Sequence, residues 1–285
     1  MGRQPVRGSQ RQMNTHNESQ TVRHWWRTSI IDMEPGKISF RGRPVEELIG
    51  NVTFPQMIWL MVRGDLPNPK QSALLEAALV AGVDHGPQAP SIAAARMAAT
   101  CGVGLNNAMA TAVNMLGDVH GGAGEQCAEL YYSIAEKMDD GIALDIAVTT
   151  GLDEWRAKYG KYIAGFGHRF HKPVDPRAPR LMALVKEAAR DGTVNGRFAE
   201  IGEAVREQLG KQRNNRPIAM NIDGATAVIF CELGFPTALS RGLFCLSRSV
   251  GILAHAWEQM QQGGRNKGPM PPNFLPLYEP TKNDE

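Results

Sequence analysis

The sequence predicts a mainly α-helical protein, and three observations carry that prediction. Apolar residues recur at helical spacing in one segment after another between Phe54 and Met260. Two segments open on a capping residue followed by proline, Asn68-Pro69 and Asp175-Pro176, the order that suits a helix start. Extended runs occur in one place, SIIDMEPGKISFRGRPVEELI at 29–49, so the chain lacks the series of strands that a large sheet needs.

In chain order, residues 1–22 are polar and aperiodic and are expected to form a disordered tail. A small β-hairpin follows around Glu34-Pro35-Gly36. Phe54 to Val62 reads as a short apolar helix, and Pro69 opens a helix through Ala81. Ile92 to Leu116 is one long alanine-rich pattern broken by glycines. Cys127, Leu130, Tyr131, Ile134 and Met138 share a helix face, as do Leu181, Leu184, Val185, Ala188 and Ala189. Ala225 to Leu233 and Leu243 to Met260 complete the set, and LYEPTKNDE at the end is expected to fray.

With 285 residues the chain can bury one large core or two moderate ones. A formal charge of +2 gives no global field to gather nucleic acid or an anionic membrane. Basic residues cluster locally at Arg169–Arg180 and Lys211–Arg216, which suits a small polyanion. Four scattered cysteines without CxxC spacing point to reduced thiols and a cytoplasmic protein. No run approaches the ~20 apolar residues of a membrane span.

Five stretches carry candidate chemistry. In DVHGGAGEQ, His120 precedes two glycines and a helix start, where free N–H groups attract anionic oxygen; a capping histidine is the plain alternative. In GFGHRFHKPVDPR, His168 can act as acid or base near neutrality and Arg177 can fork a carboxylate; a solvated basic loop is the alternative. Asp223 in NIDGATAVIF precedes a helix, as an N-cap or as a base that the helix dipole keeps ionised. Arg248 in LSRSVGILAHAWEQM sits on an apolar helix and needs an anion, whether a structural carboxylate or a substrate. His85 in VDHGP can be a surface turn or a ligand. No metal site is expected, because no HxxxH or HExxH pair occurs and the cysteines do not pair with histidines.

The order HGG, GxGHRxxxxxDPR, NxDG, RSxGxxAH resembles the motif set of the citrate synthase superfamily, from about Trp25 to the C-terminus. The resemblance implies a helical dimer with a large domain (23–123 and 233–285) and a small one (124–232) around a cleft. It implies that His120 holds the thioester carbonyl of acetyl-CoA, Asp223 removes the methyl proton, and His168 binds the ketone of oxaloacetate. His85, Arg177 and Arg248 are then oxaloacetate or citrate ligands. Gly165, Phe166, Gly167 and Asn221 are implied coenzyme A contacts, and Arg216 a phosphate partner by position. A coenzyme A thioester is the implied substrate, with no metal or nucleotide cofactor and no nucleic-acid or membrane partner.

Two departures shape the expected reaction. Only sixteen residues, Asn68 to Val83, separate DLP from DHGP, as in the compact forms typified by citryl-CoA lyases and the C-terminal module of ATP-citrate lyase. The Arg-Pro near the C-terminus of synthases is replaced by GGRNKGPMPP, where Arg265 or Lys267 could substitute. His120, in contrast, keeps the enolising apparatus of the synthases. The expectation is a citryl-CoA lyase-like enzyme. The alternatives are a compact citrate synthase or 2-methylcitrate synthase, and a non-catalytic protein that binds CoA or an oxoacid.

Overall fold

The computed structural model describes Val22 and residues 25–279; residues 1–21, nearly all of the expected tail, lie outside them, as do 280–285 of the expected fraying end. The chain divides into two compact units that meet between Asn68 and Pro69.

In the first unit, β1 (Ile31–Glu34) and β2 (Lys37–Phe40) pair antiparallel across Pro35-Gly36, with Ile31 opposite Phe40. The expected hairpin gains a third strand, β3 (Arg43–Pro44), because Gly42 at φ +77° turns the chain straight back onto β2. A single turn, α1 (Val45–Leu48), follows. Helix α2 (Phe54–Arg63) is bounded by a capping box at its start, Thr53 with Gln56, and by left-handed Gly64 at its end. It buries Ile58, Trp59 and Leu60.

Among the described residues, the named elements of the second unit are all helices. Helix α3 (Pro69–Gly82) leads to α4 (Pro90–Thr100) and α5 (Leu105–Val113). These last two replace the single long pattern expected over 92–116, which breaks where Gly102 takes φ +84°. Their alanines face inward: Ile92, Ala95, Ala108 and Ala112 form a core cluster with Ile252 and Ala256 of α11 (Thr237–Gln261). Small side chains there let the three helices approach closely within one chain.

The remaining helices are α6 (Ala123–Asp139), α7 (Leu144–Tyr159), α8 (Arg177–Arg190), α9 (Arg197–Lys211) and α10 (Ile222–Glu232). Helix α10 is buried on all sides, and α6, α8 and α9 pack around it. Helices α7 and α9 are additions to the expected set. Ile201, Val205 and Leu209 of α9 are buried, each stabilising by about 1.5–3 kcal/mol. The Glu232 carboxylate caps α9, accepting the backbone N–H groups of Gly196, Phe198 and Ala199.

Among the described residues no helix is long and apolar enough to cross a membrane. The four cysteines are free, Cys127 and Cys231 being buried.

Candidate active site

Two glycines seat the GFGHR loop on the start of α10. Gly165 lies at φ +84°, and a Cβ there would meet Cys127 Sγ at 2.5 Å and Gly224 Cα at 2.8 Å. A Cβ on Gly224 would in turn meet the Gly165 carbonyl at 2.5 Å. The loop then pairs with residues 219–221 as a short antiparallel bridge. Asn221 N–H donates to Gly165 O at 2.9 Å, and Gly167 N–H to Ala219 O at 2.7 Å. Asn221 Nδ2 donates to Gly167 O at 2.8 Å, while its Oδ1 accepts from the N–H groups of Asp223 and Gly224. The N-cap of α10 is therefore Asn221, and Asp223 sits inside the first turn instead of capping it.

Asp175 makes a second tie at the same place. It is fully buried and forks Arg177, Oδ1 to Nε at 3.0 Å and Oδ2 to Nη2 at 2.8 Å; Oδ2 also accepts from Ile222 N–H at 3.1 Å. Burial would raise this carboxyl, but its bonds to Arg177 and to Ile222 N–H outweigh that and hold it below the usual range. The starts of α8 and α10 are thus joined through one carboxylate.

A cavity of about 370 Å³ is lined by His85, His120, His168, Asp223, Arg177 and Arg248. The hydrogen bonds inside it set the tautomers of two histidines. His168 Nδ1 accepts from the backbone N–H groups of Phe170 and His171, each at 3.1 Å. The proton of the neutral ring therefore sits on Nε2 as a donor. His120 Nε2 faces Ser91, whose N–H donates to it at 3.2 Å and whose Oγ lies at 2.9 Å. The neutral His120 ring then carries its proton on Nδ1. It does cap a helix, but that helix is α4. Burial, then Arg248, lowers the pKa of His120; burial, then His171, lowers that of His168. Both are neutral donors near neutrality.

Asp223 is the carboxylate of the cavity. Burial raises its pKa against the pull of Arg248 and then Arg177, which makes it a stronger base than a solvated aspartate. The sequence reading had the helix dipole keep it ionised; desolvation dominates instead.

Arg248 is 4% exposed, yet among the described residues it has no salt bridge. Its Nε donates to Gly82 O at 3.0 Å and its guanidinium lies 4.9 Å from the Phe244 ring centroid. Burial, countered by Asp223 and Asp84, lowers its pKa from the usual arginine value. A buried cation with no carboxylate bound to it is arranged to receive an anion.

The structure thus gathers the expected His85, His120, His168, Asp223, Arg177 and Arg248 around one cavity, with Gly167 at its edge. It does not bring Gly165, Phe166, Asn221 or Arg216 to that lining. Gly165 and Asn221 serve packing and backbone hydrogen bonding, Phe166 is buried, and Arg216 is exposed.

Three contributors were missed. Ser91 orients His120 from 29 positions away, a partnership no local pattern reveals. Phe244 lies under Arg248, one turn earlier on α11, and that spacing could have been read. His171 sits in the quoted motif: its Nε2 is 3.4 Å from His85 Nε2 and its ring 4.4 Å from that of His168. The three histidines place ring nitrogens within 4.8 Å of one another, a separation a metal ion could bridge. The two N–H donors on His168 Nδ1 count against that use, because they leave its other nitrogen protonated. Burial pushes the Cys127 thiol up to about 12, so the cysteine beside the loop is no nucleophile.

Known proteins resemble the chain in fold and in sequence. Citryl-CoA lyase from Hydrogenobacter thermophilus superposes with a TM-score of 0.78 at 32% identity, over 92% of this chain and 97% of that one. ATP citrate lyase from Methanothrix soehngenii, solved with citrate and coenzyme A, matches with a TM-score of 0.76 at 20% identity, over 99% of this chain and 46% of that one; at that identity it speaks for the fold alone. Citrate synthase from Haloferax volcanii is 28% identical over 226 residues, 77% of this chain and 56% of that protein. The chain spans about half the length of the curated relatives it matches. Residues 19–81 and 67–270 match the family "Citrate synthase, C-terminal domain", and the chain belongs to the citrate synthase superfamily.

Proposed function

We propose that this chain catalyses the reversible C–C bond step between the methyl carbon of acetyl-CoA and the ketone carbon of oxaloacetate, with citryl-CoA on the joined side. The observation that carries it is the convergence of one base, two neutral donors and a buried arginine on one cavity. Asp223 takes a methyl proton while His120 Nδ1–H donates to the thioester oxygen. The enolate carbon attacks the ketone as His168 Nε2–H donates to the developing alkoxide. Cleavage runs the same steps backward. Donors already aimed at developing oxyanions are each worth ~10²–10³ in rate. Arg248, with His85 and Arg177, neutralises the substrate carboxylates; Arg177 offers less, being already forked by Asp175.

Two directions share this step. The curated relatives are citrate synthases, and they favour the condensing reading, in which citryl-CoA is then hydrolysed to citrate and CoA. The citryl-CoA lyase match at near-full length of both chains supports cleavage to acetyl-CoA and oxaloacetate, the direction put first from sequence. Supplying citryl-CoA and measuring partition separates them. Oxaloacetate with acetyl-CoA marks a lyase, and citrate with free CoA a compact synthase. Neither product pair, with no exchange of acetyl-CoA methyl hydrogens, would sink the proposal in favour of a binding protein.

The remaining expectations belong to the same proposal. The expected large domain would supply His85, His120 and Arg248 to the lining, and the expected small one His168, Arg177 and Asp223. A second cavity of about 520 Å³, lined by Ile218, Met182, Lys186 and Arg206, suits the nucleotide part of coenzyme A better than the exposed Arg216. A homodimer is supported by a stripe on α11 (Leu246, Val250, Leu253 and Trp257), each at least 42% exposed. The alanines of α4 and α5 pack in the core of the chain.

A further inference from the structure

His85 reaches the cavity from the seven residues between α3 and α4, a segment with no regular structure to hold it. One face of α11 grips that segment. Arg248 Nε donates to Gly82 O at 3.0 Å and Gly251 N–H to Val83 O at 3.1 Å. The approach is so close that a Cβ on Gly251 would lie 2.2 Å from Val83 O. One turn further, His255 Nε2 meets Asp84 Oδ2 at 3.2 Å. Burial would raise the Asp84 carboxyl, but the hydrogen bond from His255 and the N–H groups of Gly86 and His85 prevail and hold it low.

The other nitrogen of His255 is also committed. Arg96 Nη1, from α4, lies 3.1 Å from His255 Nδ1. A guanidinium can only donate, so Nδ1 is the acceptor and the ring proton sits on Nε2, aimed at Asp84. Arg96 is itself fixed, by a salt bridge to Glu258 and by Nη2 on Gln262 Oε1 at 2.8 Å. None of Arg96, His255 and Asp84 lines the cavity. The chain of donors ends one residue before His85.

We propose that Arg96, His255 and Asp84 form a positioning relay that sets where His85 meets the oxoacid, and that the histidine of RSVGILAH serves this purpose. The proposal rests on the oxoacid reading of the cavity. His255→Phe keeps the ring volume but removes donor and acceptor. His255→Gln keeps one of each, an amide N–H for Asp84 and an oxygen for Arg96.

The test is steady-state kinetics on the full chain, with oxaloacetate and acetyl-CoA varied separately, alongside nitrogen-15 spectra of the histidine rings at pH 7.5. We expect His255→Phe to raise the KM for oxaloacetate on the order of tenfold, with kcat within about threefold and the KM for acetyl-CoA unchanged. His255→Gln should restore most of the loss. The spectra should show the Nε2–H tautomer at His255 and a displaced His85 signal in His255→Phe. An unchanged oxaloacetate KM, or equal losses for both substrates without rescue by glutamine, would overturn the relay. If the wild-type chain has no oxaloacetate-dependent turnover, the oxoacid reading fails; a His85 signal unmoved by His255→Phe then overturns the relay on its own.

Discussion

Replacing His168 with asparagine separates two things the imidazole does at once. Its Nδ1 accepts two backbone N–H groups and so shapes the loop, while its Nε2–H faces the cavity. Asparagine Oδ1 can stand near the Nδ1 position and accept the same two donors. The loop should therefore survive, with stability changed by no more than about 1 kcal/mol. What disappears is the Nε2–H donor that the proposed reaction directs at the alkoxide. Loss of one such preorganised donor costs about 2.7–4 kcal/mol, or ~10²–10³ in kcat. His168→Ala should lose as much activity and somewhat more stability, since water must replace the acceptor. The assay is citryl-CoA turnover in either direction, paired with thermal melting. Exchange of acetyl-CoA methyl hydrogens in deuterated water is the internal control, because it calls on Asp223 and His120 and should persist in both variants. An asparagine variant with kcat within tenfold of wild type would show that His168 does not supply the proton.

Asp223→Asn should abolish turnover and exchange yet raise the melting temperature. The folded carboxyl has its pKa raised by burial, so its ionisation costs stability as pH rises from the unfolded value through the folded one; the neutral amide escapes that cost. Asp175 behaves oppositely: its lowered pKa contributes stability above the unfolded value that is lost as pH falls through the folded one. Asp175→Asn should accordingly destabilise at pH 7 by about 3–5 kcal/mol, a penalty that shrinks in acid denaturation series. Gly165→Ala must hold a left-handed backbone at about 1–2 kcal/mol and force Cys127 aside for about 1–3 kcal/mol more; an unchanged melt would show that the loop does not pack on α10 as described.

The helical class was legible because most helices here are one-sided and announce their buried face by period, as α8 does with Leu181, Val185 and Ala188. Helix α7 was not legible in that way. Thr149, Thr150 and Gly151 dilute its apolar face, and Gly151 is there to let Ile134 approach. Six of the cavity-lining residues were legible as residue types at motif spacing. Their partners were not, since Ser91 on His120 and Arg96 on His255 are contacts between residues far apart in the chain. The glycines of GFGHR were visible in the sequence; that Gly165 accommodates Gly224 and Cys127 only the packed chain reveals.

The short bridge between residues 165–167 and 219–221 makes His168 and Asp223 neighbours on one piece of backbone. His120, the proposed partner of Asp223 in forming the enolate, hangs from another piece, anchored to α4 through Ser91. In the proposed reaction the alkoxide donor and the base are therefore registered by backbone pairing, whereas the base and the thioester donor are registered through the packing of α6 on α10. Under the proposed roles the methyl proton is removed only where His120 and Asp223 meet the same thioester, so exchange of acetyl-CoA methyl hydrogens reads the register of α6 on α10.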